Sequence, residues 1–259
     1  MPLTTLVSLP RNMNVLPDGS RIVNARQATM LTLLGNPRAD YGSDCRDITN
    51  PRLKPLVTRR NVGPFAVRGL APAVDSLEGV MKAIEKEEPK VFAALGTAGM
   101  LCARFVRGST TSISNHSWGT AIDLTLDGVL DARGDGRVQE GLTRIAPIFN
   151  RHEWFWGAAF GTEDGMHFEC SDGLIRKWAN EGRFGAVPVA LPEDDLLSLG
   201  DRGPEVEKLQ EKLNQHGAGL LVDGIFGRDT QSAVMRFQGA HKLTIDGVVG
   251  KQTSAALGL

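Results

Sequence analysis

The sequence predicts an α+β domain with a small antiparallel sheet and flanking helices, followed by an all-α three-helix module. Three observations carry this. After residue 70, apolar spacing switches between the helical and the strand period in separate runs, without regular βαβ alternation. Residues 185–195 combine Pro188, Pro192, small residues and the acidic run Glu193-Asp194-Asp195, the composition of a linker. Beyond it, Val222-Asp223-Gly224-Ile225-Phe226-Gly227 recurs 23 positions later as Ile245-Asp246-Gly247-Val248-Val249-Gly250. The expected domains are therefore 1–184 and 196–259.

Taken in order, residues 1–70 are rich in Pro, Gly and Arg with weak periodicity, and read as an irregular lead-in packed on the core. Residues 75–95 have helical spacing, with Asp75 or Ser76 as cap. Residues 140–152 carry the apolar stripe Leu142, Ile145, Ile148 and Phe149, and residues 172–180 form a third helix. Strands are expected at 101–106, 119–126 and 166–170. In the module, Pro204 suits a first helical turn, and Val206, Leu209 and Leu213 follow at helical spacing. Each Asp-Gly repeat reads as a turn that starts a further helix, with Phe237 on the apolar face of the middle one.

With 29 basic and 30 acidic residues and a net charge of −1, nothing in the composition points to nucleic acid or an anionic membrane surface. No apolar run approaches the roughly 20 residues a membrane span needs. The N-terminus lacks a basic region and is interrupted by Pro10, so no signal peptide is read. The chain is expected to be made in the cytoplasm and delivered by other means. Cys45, Cys102 and Cys170 are read as buried thiols, with a Cys102–Cys170 bridge left open.

Two blocks carry the chemistry. The first is Ser114-Asn115-His116-Ser117-Trp118-Gly119-Thr120-Ala121-Ile122-Asp123, the second Asp164-Gly165-Met166-His167-Phe168-Glu169. Two imidazoles and a carboxylate hold a catalytic zinc by three ligands and leave a fourth position for water. In extended strands Asp123 and His167 project from one sheet surface while alternate apolar neighbours face the core. A loop delivers His116, and Gly119 is expected to let that loop approach the metal. Asp164 is the candidate base, preferred over Glu163 for its spacing to His167. Glu169 is either a partner behind a ligand or an ordinary buried carboxylate. His152, His216 and His241 read as surface or capping residues. The stretch Asp131-Ala132-Arg133-Gly134-Asp135-Gly136 lacks the carboxylate spacing of a calcium loop and reads as a turn.

Ser114-x-His116-x-x-Gly119-x-Ala121-x-Asp123 with Asp164-x-Met166-His167-Phe168-Glu169 resembles the zinc peptidases that include D-alanyl-D-alanine carboxypeptidases and phage L-alanyl-D-glutamate endopeptidases. The resemblance implies an α+β zinc fold, His116, Asp123 and His167 as Zn2+ ligands, and bacterial peptidoglycan stem peptides as substrate. Asp164, where many members carry Glu, is as in the phage endopeptidase branch. The resemblance also implies an upstream arginine for a substrate carboxylate or the oxyanion. Arg104 and Arg107, three positions apart, fall on opposite faces of a strand, so only one of them fits. Arg104 is preferred because it follows a glycine turn. Arg107, Ser114 and Trp118 are expected on the substrate side, and Trp118, Trp154 and Trp156 either line a cleft or fill the core.

The module is similar to the three-helix peptidoglycan-binding domain, through Leu199-Gly200, Gly203, Val206, Leu209-Gln210, Leu213 and the two Asp-Gly repeats. Tethering such a module to an enzyme raises its effective concentration at a polymer. An endolysin-like peptidase acting as a monomer at the cell wall is the expectation. A carboxypeptidase, an antibacterial effector, an amidase for the lactyl–L-Ala bond and a non-catalytic wall-binding protein remain open.

Overall fold

A computed structural model describes residues 1–185, 197–199, 201 and 204–259. It divides into two compact units, Met1–Val187 and Pro188–Leu259. The predicted linker, 185–195, lies outside the described residues except for Gly185.

The first unit runs β1 (Leu6–Ser8), α1 (Gln27–Leu34), β2 (Val57–Asn61), β3 (Ala66–Leu70), α2 (Ala71–Glu87), α3 (Pro89–Ala94), β4 (Leu95–Gly99), β5 (Ala121–Leu126), β6 (Val129–Leu130), β7 (Arg137–Gln139), α4 (Glu140–Arg151), β8 (Trp154–Trp156), β9 (His167–Cys170) and α5 (Asp172–Asn180). The functional sheet has the order β4-β5-β9-β8, with β6 added to β5, and its pairings are antiparallel. β1 pairs with β7, and β2 with β3.

Helix α4 closes the rear of this sheet. Its Phe149 ring stacks on Phe168 of β9 at 4.0 Å, and Trp156 of β8 flanks Phe168 at 6.0 Å. Each buried ring contributes roughly 1.5–3 kcal/mol, so the pair fixes the strand that presents His167 from its other side. Ser171 caps α5 by accepting from the Leu174 N–H at 3.1 Å.

Four expectations need correction. The helix expected at 75–95 starts at Ala71, with Pro72 in its first turn, and neither Asp75 nor Ser76 caps it. It breaks at Glu88 because the residue before a proline disfavours the helical basin, and Pro89 restarts it as α3. The expected strand 101–106 is irregular, with the isolated bridges Arg46↔Ala103 and Phe105↔Ile113 in place of a continuous ladder. The real edge strand is β4, whose Gly96 and Gly99 hid it from propensity. Residues 1–70 are more regular than expected, holding three strands and a helix. Buried Asn14 fastens them to the open edge of β8: it donates to the Trp156 carbonyl (3.0 Å) and accepts from the Trp156 N–H (2.7 Å).

Two of the three cysteines also depart from expectation, while Cys170 is the buried thiol expected. Cys45 and Cys102 form a disulfide, and Cys170 is a buried free thiol. A hydrophobic residue pattern gives no access to this pairing, since 57 positions separate the two cysteines.

In the second unit, α6 (Pro204–Gln215), α7 (Arg228–Ala240) and α8 (Lys251–Leu257) enclose Val206, Leu209, Leu213, Phe226, Val234, Phe237 and Val249. The sequence repeat becomes a repeated hydrogen-bond lock. Buried Gln210 donates to Asp223 Oδ1, the Ile225 carbonyl and Thr230 Oγ1, and accepts from the N–H groups of Asp223 and Gly224. Gln238 makes the same five bonds with Asp246, Val248, Thr253 and Gly247. Each glutamine satisfies the backbone of a tight turn that a 60-residue core has no other means of covering.

Candidate metal centre

Antiparallel pairing of β5 with β9 sets Asp123 opposite His167. Along β5, Ile122, Leu124 and Leu126 are buried while Asp123 and Thr125 are part-exposed, as a period of two requires. His116 comes from a 3-10 turn, Asn115–Trp118, packed against this surface. Gly119 ends that turn at φ +67, and a methyl group there would stand 2.8 Å from Gly69 Cα and Leu70 N. Its role therefore differs from the expected approach to a metal: Gly119 lets the turn press on the β3–α2 junction, where its carbonyl accepts from the Leu70 N–H (2.9 Å).

Three donor atoms converge. His116 Nε2 lies 3.2 Å from Asp123 Oδ1 and 3.2 Å from His167 Nδ1, and His167 Nδ1 lies 3.1 Å from Asp123 Oδ1. A tetrahedral ion with bonds of about 2.0 Å has ligand–ligand edges of about 3.3 Å, so this near-equilateral triangle fits one face of a zinc site. The opposite ring nitrogens carry the protons. His116 Nδ1 donates to the Met100 carbonyl (2.9 Å), and His167 Nε2 to Glu169 Oε2 (2.8 Å). The two inward nitrogens are therefore the ones that would ligate a metal ion. Glu169 is 3% exposed, and its other oxygen accepts from Asn115 Nδ2 at 2.9 Å.

Electrostatics agree with a cation at this point. Burial alone raises the Asp123 carboxyl, but His116 and His167 overrule it and hold the group far below the usual carboxylate range. Burial likewise opposes charge on His167, yet Asp123 and Glu169 beside it push that imidazole up to about 10. A ring enclosed by two carboxylates is a place that takes up positive charge, a proton or a metal ion.

Asp164 borders the centre. Burial raises its carboxyl above the ordinary aspartate value, against the neighbouring His167. Its Oδ1 is buried with no hydrogen-bond partner, and its Oδ2 stands 3.4 Å from Arg133 Nε. Glu163, the rival base, is committed elsewhere, since its Oε1 accepts from the Gly136 N–H at 2.7 Å.

Arg104 is half-buried; burial lowers its pKa, and it feels Asp123, Arg107, Asp164 and Arg133. Its backbone is clasped by the Ser117 hydroxyl, which accepts from the Arg104 N–H and donates to the Arg104 carbonyl, both at 3.1 Å. Arg107 lies on an exposed turn rather than on the far face of a strand. Ser114 is buried and serves the turn through its backbone, accepting from the Ser117 N–H at 2.8 Å. Trp118 is corrected: it is fully buried, with its indole N–H on the Gly35 carbonyl (2.8 Å), and cannot touch a substrate. Trp154 and Trp156 are core as well. The segment's aromatics are there to brace strands, which composition alone does not distinguish from a cleft lining.

Sequence reasoning missed Arg133, Asn115 and the Met100 carbonyl. The Asp131–Gly136 turn drew notice only as a failed calcium loop, and a backbone carbonyl leaves no residue signature.

Two imidazole nitrogens and a carboxylate brought to one point, beside a carboxylate with one unpartnered oxygen, are a donor set that fits a zinc ion with one open position. Residues 107–170 match the model of the D-alanyl-D-alanine carboxypeptidase family, and residues 202–257 match that of the putative peptidoglycan binding domain. Over 72 residues the chain is 43% identical to the zinc D-Ala-D-Ala carboxypeptidase of Streptomyces albus G, covering 27% of this chain and 28% of that protein. The chain thus spans just over a quarter of the length of this curated relative. Among solved structures, the Burkholderia AP3 phage endolysin is 46% identical over 24% of each chain, with a TM-score of 0.24. A fused Zn-dependent amidase/peptidase/peptidoglycan-binding protein from Clostridium acetobutylicum is 38% identical over 25% of this chain and 29% of its own, with a TM-score of 0.25. Among the described residues, no helix is long and apolar enough to cross a membrane.

Proposed function

We infer that the chain is a zinc-dependent peptidase of bacterial peptidoglycan, that it cuts the stem peptide between L-Ala and D-Glu, and that the second unit holds it on the cell wall. The observation that carries this is the convergence of His116 Nε2, Asp123 Oδ1 and His167 Nδ1, all within hydrogen-bond distance of one another, beside the free Oδ1 of Asp164. His116, Asp123 and His167 hold the ion. Zinc, when bound, acidifies a water molecule and polarises a carbonyl.

Asp164 does the proton work. Its Oδ1, buried and without a hydrogen-bond partner, is the oxygen left to accept a proton from the attacking water, and burial, by raising the carboxyl's pKa, helps it hold that proton until it passes to the leaving amine. Arg104 brings a half-buried cation toward the carbonyl oxygen, where charge accumulates. Aspartate rather than glutamate at position 164 favours the endopeptidase over release of terminal D-Ala, the reading that the matched family's description supports.

Purified sacculi digested with the zinc-loaded protein, followed by mass spectrometry of the fragments, give the test. New amino termini on D-Glu are expected, and Asp164→Asn is expected to lower turnover roughly 100- to 10,000-fold with zinc retained. Undiminished lysis by that variant sinks the catalytic reading; released D-Ala instead replaces endopeptidase by carboxypeptidase.

A further inference from the structure

We propose that Arg133 determines specificity by binding the α-carboxylate of the amino acid whose amine is released. This rests on the peptidase reading above, and in particular on Asp164 as donor to the leaving amine.

Arg133 sits on residues 131–136, between β6 and β7, and its side chain is about one-third exposed (31%). Its link to Asp164 is a single long contact, Nε to Oδ2 at 3.4 Å. Among the described residues its two terminal nitrogens make no hydrogen bond, so a planar pair of donors stands ready at the centre. The turn that carries it is fixed. The Gly134 N–H donates to the Glu163 carbonyl (3.2 Å) and the Gly136 N–H to Glu163 Oε1 (2.7 Å), with both glycines at positive φ. Asp131 Oδ1 accepts from the Gln139 N–H at 2.8 Å and closes the turn from behind. Because Glu163 directly precedes Asp164, the base and Arg133 form one body.

Placement then dictates the ligand. Asp164 must reach the departing nitrogen, and Arg133 flanks Asp164. The carboxylate carbon of an α-amino acid lies two bonds from that nitrogen, within reach of a guanidinium so placed. Arg104 is less free for this task, since its Nη1 donates to the Phe105 carbonyl at 3.1 Å.

The probe is the synthetic peptide L-Ala–γ-D-Glu–L-Lys, with the D-Glu α-carboxyl free or converted to its carboxamide. The zinc-loaded protein is expected to prefer the free acid in kcat/KM by roughly 10- to 100-fold, the range of a charge-assisted bidentate contact. Arg133→Gln is expected to collapse that preference, and Arg133→Lys to retain part of it. Calorimetry with versions whose scissile amide is a non-hydrolysable CH2–CH2 link is expected to show the same ratio in Kd. Because both peptides need Asp164, an equal loss on both in Arg133→Gln makes Arg133 a mere support of the base and overturns the proposal. Equal use of both peptides by the unmodified protein overturns it too, while leaving the peptidase reading intact. If the unmodified protein cuts neither these peptides nor sacculi, the peptidase reading itself falls.

Discussion

Glu169→Gln tests the hydrogen-bond logic of the metal centre most sharply. In the native arrangement Glu169 Oε2 accepts from His167 Nε2 and Oε1 accepts from Asn115 Nδ2. Asn115 is not free to turn over, because the same Nδ2 also donates to the Ala25 carbonyl at 3.0 Å. With His167 Nδ1 bare for the metal, its Nε2–H must meet an acceptor, so the new amide has to offer its oxygen there. Its NH2 then faces the NH2 of Asn115, donor against donor, at a residue only 3% exposed. One buried donor left unsatisfied costs about 1–3 kcal/mol. Losing the carboxylate also weakens the charge that makes the imidazole a strong ligand, and changes of this kind lower metal affinity about 10- to 100-fold. Competition against a chromophoric zinc chelator measures that loss, with thermal denaturation of the metal-free protein as a check on folding. Zinc binding as tight as in the unmodified protein would refute the assigned tautomers and, with them, the site.

Three further outcomes follow from other parts of the molecule. Asp131 is 2% exposed, and burial pushes its carboxyl up to about 6 from 3.8, so the folded state holds its proton more tightly than the unfolded chain. Its stabilising effect is complete below about pH 4 and lost as pH rises through about 6; relative to Asp131→Asn, denaturant titrations should show the native protein losing about 3 kcal/mol across that window and none above it. Removing the Cys45–Cys102 bridge by Cys45→Ser frees a loop of 57 positions, which should cost about 4 kcal/mol in chemical denaturation and loosen the segment whose Met100 carbonyl orients His116. Gln210→Ala in the second unit strips a partner from the buried Gly224 N–H, at roughly 1–3 kcal/mol, and from the part-buried Asp223 N–H, and should weaken co-sedimentation of the chain with purified sacculi at moderate temperature.

The sequence by itself determined what period and residue type can encode. Alternation along 121–126 placed Asp123 on the face opposite Ile122 and Leu124, and the 23-residue repeat announced the helices and turns of the second unit. The grouping of His116, Asp123 and His167 was legible because metal chemistry permits few donor sets and both blocks lie on short, strongly patterned segments. Only the tertiary structure decided which partners stand behind those donors. The Met100 carbonyl, the Asn115 amide and the Arg133 guanidinium reach the centre from three separate segments, and no local periodicity links them. Trp118 shows the converse: its neighbours in sequence belong to the site, yet its ring points inward to Gly35, because the αL turn at Gly119 reverses the chain against β3. Local pattern says which face of an element is wet, while long-range packing alone says what meets it there.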